Sequence, residues 1–92
     1  MSDRRVGPVL ARSTAAEAVI EAIRDSNDAV CVVDRGAYLR VLRAESCAVT
    51  RAAIEARLGQ PFELPSDLEA IMPSFRGSLR VTSAEVIWSW RA

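Results

Sequence analysis

The spacing of hydrophobic positions changes several times along the chain, and each change predicts an element. Val6 to Ala11 is a short apolar run with Pro8 inside it. Proline cannot donate to a ladder, so the run predicts an edge strand or an extended arm. Thr14-Ala15-Ala16-Glu17 reads as a capping box, with Thr14 and Glu17 each satisfying an orphan N–H. Behind it Ala16, Val19, Ile20 and Ile23 repeat at i, i+3, i+4, i+7, the apolar stripe of an amphipathic helix. Asp25-Ser26-Asn27-Asp28 supplies turn-forming residues to end it.

The middle of the chain changes to a shorter period. Ala29 to Asp34 is a continuous apolar run rich in β-branched residues, which predicts a strand covered on both faces. Arg35-Gly36 is a tight turn. Tyr38 to Arg43 then alternates, with Leu39 and Val41 on one face and Arg40 on the other, the pattern of a half-buried antiparallel strand. Ser46 to Val49 is a further short β run. Thr50 is placed to cap a second helix carrying Ala53, Ile54, Ala56 and Leu58, with Gly59 at its end and Pro61 forbidding continuation.

Ser66-Asp67-Leu68-Glu69 reads as a second capping box, opening a short helix through Met72 that Pro73 stops. Phe75-Arg76-Gly77 turns the chain. Leu79 to Thr82 and Glu85 to Trp90 predict a closing hairpin, with Val86, Trp88 and Trp90 on one face of the last strand. The sum is one domain over residues 1–92, opening on a flexible arm over residues 1–5. Its predicted class is α+β: a sandwich built on a mostly antiparallel sheet with two main helices.

Composition narrows the function. Half of the residues are hydrophobic, which excludes a disordered chain. The 12 cations are all Arg and balance 12 Asp plus Glu, so net charge is zero and there is no electrostatic footprint for nucleic acid. No stretch approaches the roughly 20 apolar residues of a membrane span. Met1-Ser2-Asp3-Arg4-Arg5 lacks the apolar core of a signal peptide, so the cytoplasm is the expected location. Exclusive use of Arg with abundant Ala points to a high-GC bacterial gene.

The usual equipment for chemistry is sparse. There is no His, the commonest general acid–base and a frequent metal ligand. Cys31 and Cys47 lie 16 apart without CxxC spacing, which fits reduced, buried thiols. Neither has a basic sequence neighbour to activate it as a nucleophile. Glu17 and Glu21 share a helix face, where solvation is the ordinary role. No catalytic residue, cofactor or metal site is expected.

What remains is contact chemistry. Trp88 and Trp90 read either as interface anchors or as core filling, the second being the preferred reading. Tyr38, between Arg35 and Arg40, is either a partner contact or a core residue with its hydroxyl at the rim. Pro73-Ser74-Phe75-Arg76-Gly77 puts an aromatic and a cation on a turn between two breaks. Such loops carry function when a rigid scaffold presents them; the plain alternative is a connection with Phe75 in the core.

Several short runs, taken in order, resemble one family. They are Val6-Gly7-Pro8-Val9, Val33-Asp34-Arg35, Ala37-Tyr38-Leu39-Arg40-Val41, Val49-Thr50-Arg51, Leu58-Gly59-Gln60-Pro61-Phe62 and Ser74-Phe75-Arg76-Gly77. In this order the chain is similar to the effector (coupling, or regulatory) proteins of soluble bacterial multicomponent diiron monooxygenases. Its short N-terminal arm is nearest the toluene and alkene monooxygenase type.

The resemblance implies a βαββαββ fold and a protein without catalytic residues or cofactor, the diiron centre belonging to its partner. It implies binding to the diiron hydroxylase, with shifted helices, altered O2 reactivity, gated substrate access and coupled NADH consumption. Ferredoxin and reductase components are the functionally coupled partners; neither nucleic acid nor membrane is. In the methane enzyme's regulatory protein, small hydroxyl residues occupy the turn matching Pro73, Ser74 and Phe75. Only Ser74 keeps that character here. The partner-binding residues so expected are Arg35, Tyr38, Ile71, Pro73, Ser74, Phe75, Arg76 and Gly77. A generic α+β interaction or ligand-sensing module is the alternative, and a small enzyme using Cys31 or Cys47 a third reading.

Overall fold

In the computed structural model, which describes residues 3–90, the run around Pro8 is central. β1 (Arg5–Ala11) lies between β3 (Tyr38–Ala44) and β5 (Ser74–Arg76), with β2 (Cys31–Asp34) outside β3. The edge strand or arm expected from Pro8 is therefore corrected to an inner strand. The register explains how proline is tolerated. β1 pairs with β3 at Val6↔Arg43 and again at Val9↔Arg40, and the ladder skips Gly7 and Pro8 between them. At Gly7, φ is +148° and the strands run so close that a Cβ would sit 2.1 Å from the Val41 carbonyl oxygen. Of the arm expected over residues 1–5, Met1 and Ser2 lie outside the described residues, Asp3 and Arg4 precede β1, and Arg5 opens it.

β4 (Ser46–Thr50), β7 (Glu85–Ser89) and β6 (Ser78–Val81) form a second antiparallel sheet, in that order. The predicted hairpin is the β6–β7 pair, with Val81 opposite Val86. The seven strands of the described residues are thus divided between two sheets, and the class is α+β. β4, β5 and a short third helix are additional to the βαββαββ order. Two passages between sheets are made at single residues of positive φ, Glu45 (φ 70°) between β3 and β4 and Gly77 (φ 100°) between β5 and β6, and the third, from β4 to β5, runs through the second and third helices.

Helix α1 (Thr14–Ser26) buries Ala16, Val19, Ile20 and Ile23 in the core, the stripe its spacing predicts. Its cap is corrected by one residue. Ser13 rather than Thr14 is the N-cap, its hydroxyl accepting from the Ala16 N–H at 3.0 Å. Glu17 stays in the first turn, where a carboxylate suits the helix dipole. α2 (Arg51–Leu58) has the expected caps: Thr50 accepts from the Ala53 N–H at 3.1 Å, and Gly59 closes it at φ 77°. α3 (Ser66–Glu69) stops short of Met72 and has Pro65 at its start, with no side-chain cap. The expected Ser66 capping box is replaced by the Asp67 carboxylate accepting from the Glu63 N–H at 2.7 Å.

Two burial readings change, those of β2 and Cys31, while the preferred core reading of Trp88 holds. β2 is an edge strand with exposed and half-buried residues, not one covered on both faces, because it pairs with β3 alone. Cys31 at its start is exposed, whereas Cys47 is buried. Trp88 is fully buried and fills the core, with its indole N–H lacking an acceptor among the described residues. Its contribution is bulk rather than hydrogen bonding. Trp90 packs half-buried against the same core.

Candidate functional site

The segment expected as a turn from Pro73 to Gly77 is instead organised by pairing. Ser74–Arg76 is strand β5, laid along β1 with Gly7 opposite Arg76, Pro8 opposite Phe75 and Val9 opposite Ser74. On the other side of β1, Val9 faces Arg40 and Ala11 faces Tyr38. Residues directly opposite share a face of a sheet. Val9, Arg40, Tyr38, Ala11, Ser74 and Arg76 therefore lie on one face, away from buried Val6 and Leu10.

A groove of about 500 Å³ opens along this face and over the outer edge at β5, where Phe75, paired with buried Pro8, also borders it. It is lined by Gly7, Val9, Arg35, Tyr38, Arg40, Ser74, Phe75 and Arg76, with no helix contributing. Tyr38 and Phe75, at 46% and 42% exposure, are the large hydrophobic side chains the structure leaves in solvent among the described residues. The core alternatives for both are thereby overturned: neither side chain is tucked inside.

The turn that carries Arg35 and Tyr38 is braced from several sides. Asp34 accepts from the Gly36 N–H at 2.8 Å, an Asx-type turn with Gly36 at φ 80°. The Arg35 N–H donates to the Tyr38 carbonyl at 2.8 Å. Arg12 pairs with Asp34 at 2.5 Å and donates to the Gly36 carbonyl at 2.7 Å. The Arg12 guanidinium, helped by the Gly36 N–H, holds the Asp34 carboxyl below its ordinary range.

Charge on the groove is uneven. Asp3 joins Arg5 at 3.1 Å and Arg76 at 3.3 Å, and Arg5 holds its carboxyl well below the usual carboxylate range. Arg76 is thus matched from within. Arg35 and Arg40 make no ion pair among the described residues, unlike Arg12, Arg43 and Arg57, which are paired elsewhere.

Five of the eight sequence-predicted residues meet here: Arg35, Tyr38, Ser74, Phe75 and Arg76. Pro73 is exposed beside the groove but does not line it. Ile71 packs against the core edge, and its carbonyl accepts from the Ala11 N–H at 2.8 Å. A Cβ at Gly77 would meet the Ser89 carbonyl and the Val6 side chain at 2.7 Å. Sequence reasoning missed Gly7, Val9 and Arg40. The opposite face of Arg40 was visible from its alternation with Leu39 and Val41, whereas Gly7 and Val9 were hidden in a run that looked uniformly apolar.

Elsewhere the described residues hold no group of three His, Cys, Asp or Glu placed to bind a metal. Burial pushes the Cys47 thiol up to about 11, which keeps it protonated and unreactive near neutral pH. Native protein is expected to titrate one thiol quickly with an aromatic disulfide reagent, Cys31, and the second only in denaturant. Two fast thiols would contradict the burial of Cys47.

Exposed aromatics, and arginines without an ion pair among the described residues, give this braced sheet the composition of a contact surface rather than of a catalytic site. The chain belongs to the MmoB/DmpM family, whose family model matches residues 4–89. It is 37% identical over 94 residues to the effector subunit of the alkene monooxygenase system of Xanthobacter autotrophicus (strain Py2), covering 100% of this chain and 92% of that protein. Its fold is similar to a chain in a phenol hydroxylase–regulatory protein complex, with TM-score 0.84 and 17% identity over 95% of this chain and 99% of that one. It is also similar to the soluble methane monooxygenase regulatory protein B, with TM-score 0.73 and 22% identity over 99% of this chain and 68% of that one.

Proposed function

We propose that this protein is the non-catalytic effector of a multicomponent monooxygenase and acts by docking onto the diiron hydroxylase component. The full-length 37% identity to an alkene monooxygenase effector subunit carries this reading. The groove supplies the contact surface: Tyr38 and Phe75 are anchors, and Arg35, Ser74 and Arg76 surround them. Pro73 flanks the surface, while Ile71 and Gly77 hold β5 in place beneath it.

A protein that only docks changes its partner by binding two of its states unequally. Couplings of this kind are typically worth about 1–3 kcal/mol, roughly 5- to 150-fold in an equilibrium. Spent on the hydroxylase, that range is enough to alter O2 reactivity, substrate access and the coupling of NADH oxidation to product. Ferredoxin and reductase components are then linked functionally, through the hydroxylase. The work takes place in the cytoplasm, in keeping with the absence among the described residues of any helix long and apolar enough to cross a membrane.

The test is product formed per NADH consumed by the cognate hydroxylase with its electron-transfer components, measured with and without this protein. A saturable rise in rate or coupling near stoichiometric addition is expected. No change, with folded protein and active hydroxylase, would discard the effector reading in favour of a generic interaction module.

A further inference from the structure

The chain is neutral overall, yet the groove bordered by Tyr38 and Phe75 carries two cations without an ion pair among the described residues. Among the described residues Arg35, Arg40 and Arg80 make no ion pair, and two of these three line the groove with Tyr38 and Phe75. The remaining groove cation, Arg76, has its counter-ion in Asp3. Other surface arginines are held in pairs, as Arg57 is by Asp25 at 2.6 Å through two parallel bonds. The free charge is therefore concentrated where the apolar contact area is greatest.

Resting on the docking reading above, we infer that the hydroxylase surface meeting this groove is acidic: carboxylates placed for Arg35 and Arg40, beside an apolar recess that takes Tyr38 and Phe75. A guanidinium presents a planar fork of donors that matches a carboxylate with two parallel bonds. Burying Arg35 or Arg40 against an apolar or basic surface would leave a desolvated charge without a partner, which strongly disfavours the complex. An acidic complement also steers encounter, so it makes association sensitive to salt.

The experiment measures Kd for the assembled hydroxylase from roughly 50 to about 500 mM NaCl, a range over which the screening length shortens from about 14 Å to about 4 Å. It uses the intact protein, the double variant Arg35→Gln with Arg40→Gln, and the double variant Tyr38→Ala with Phe75→Ala. The intact protein is expected to weaken on the order of tenfold across the series. The arginine variant is expected to be weaker at low salt by a similar factor and nearly indifferent to salt.

If the arginine variant binds as tightly as the intact protein while the aromatic variant does not, the groove docks but its partner surface is not acidic. An arginine variant that is weaker yet keeps the full salt slope also overturns the acidic complement, leaving the arginines as neutral hydrogen-bond donors. Unchanged binding by both variants removes the groove from the interface and overturns the acidic complement while docking itself stands; absence of binding by the intact protein would instead overturn the docking reading.

Discussion

Gly7→Ala is expected to remove a large share of the protein's folding stability. The added methyl would lie 2.1 Å from the Val41 carbonyl oxygen and 2.9 Å from its carbon. Both are backbone atoms of β3, so no side chain can swing aside. The φ of +148° is also one that L side chains rarely adopt. Relief requires β1 and β3 to separate where they lie closest. Because β1 also pairs with β5, the opening propagates across the sheet.

A loss of about 3–5 kcal/mol is the scale of such core disruptions. A chain of this size has only about 5–14 kcal/mol in total. Gly36→Ala is the control. It too has positive φ, but nothing lies within 4 Å of the added carbon, so only backbone strain of about 1 kcal/mol is expected. Urea unfolding of both variants decides the matter: equal midpoints would mean that the close approach of β1 to β3 is not real.

Truncating Tyr38 and Phe75 together to Ala is expected to weaken docking to the hydroxylase by on the order of a hundredfold or more, with thermal stability almost unchanged. Anchor residues of this type commonly cost about 2–4 kcal/mol each when truncated, though the two are not additive. Their exposure of 46% and 42% means little packing is lost in the free protein. Paired calorimetric titration and thermal melts separate the two effects. A large drop in melting temperature would make these residues part of the fold, and an unchanged Kd would place the contact surface elsewhere.

The sequence made some of this legible for local reasons. The α1 stripe, the Thr50 and Gly59 caps of α2 and the β6–β7 hairpin all depend on residues close in the chain, where period and capping chemistry are decisive. The failures are non-local. Pro8 looked like an edge residue because nothing nearby reveals that the β1–β3 ladder skips it. β5 has only three residues and no alternation of its own; its strand character comes from β1, more than sixty positions earlier.

The same distance hid the groove. Arg35, Tyr38 and the Ser74–Arg76 segment were each suspected, yet their meeting depends on β1 standing between β3 and β5. That order makes Val9 and Arg40 part of the face and removes Ile71 and Gly77 from it. Cys31 was misjudged for a related reason. An apolar run reports strand propensity, but whether both sides are covered depends on which strands flank it.

The two joints at Glu45 and Gly77 bear on how force would pass through a complex. At each of these two passages one residue carries the chain from sheet to sheet, whereas the passage from β4 to β5 runs through α2 and α3. Neither joint is loose. Glu45 receives a bond from the Trp90 N–H at 2.8 Å and donates its own N–H to the Arg4 carbonyl at 3.0 Å, while Gly77 is wedged against Val6 and Ser89. A body hinged so tightly has little slack with which to conform when another surface presses on it. Where a stiff body meets a more pliant one, the pliant one takes up the deformation, and the stiff one loses little conformational freedom in the encounter. Such a protein resembles a die more than a glove: its shape is settled beforehand, and the impression is left in the other material.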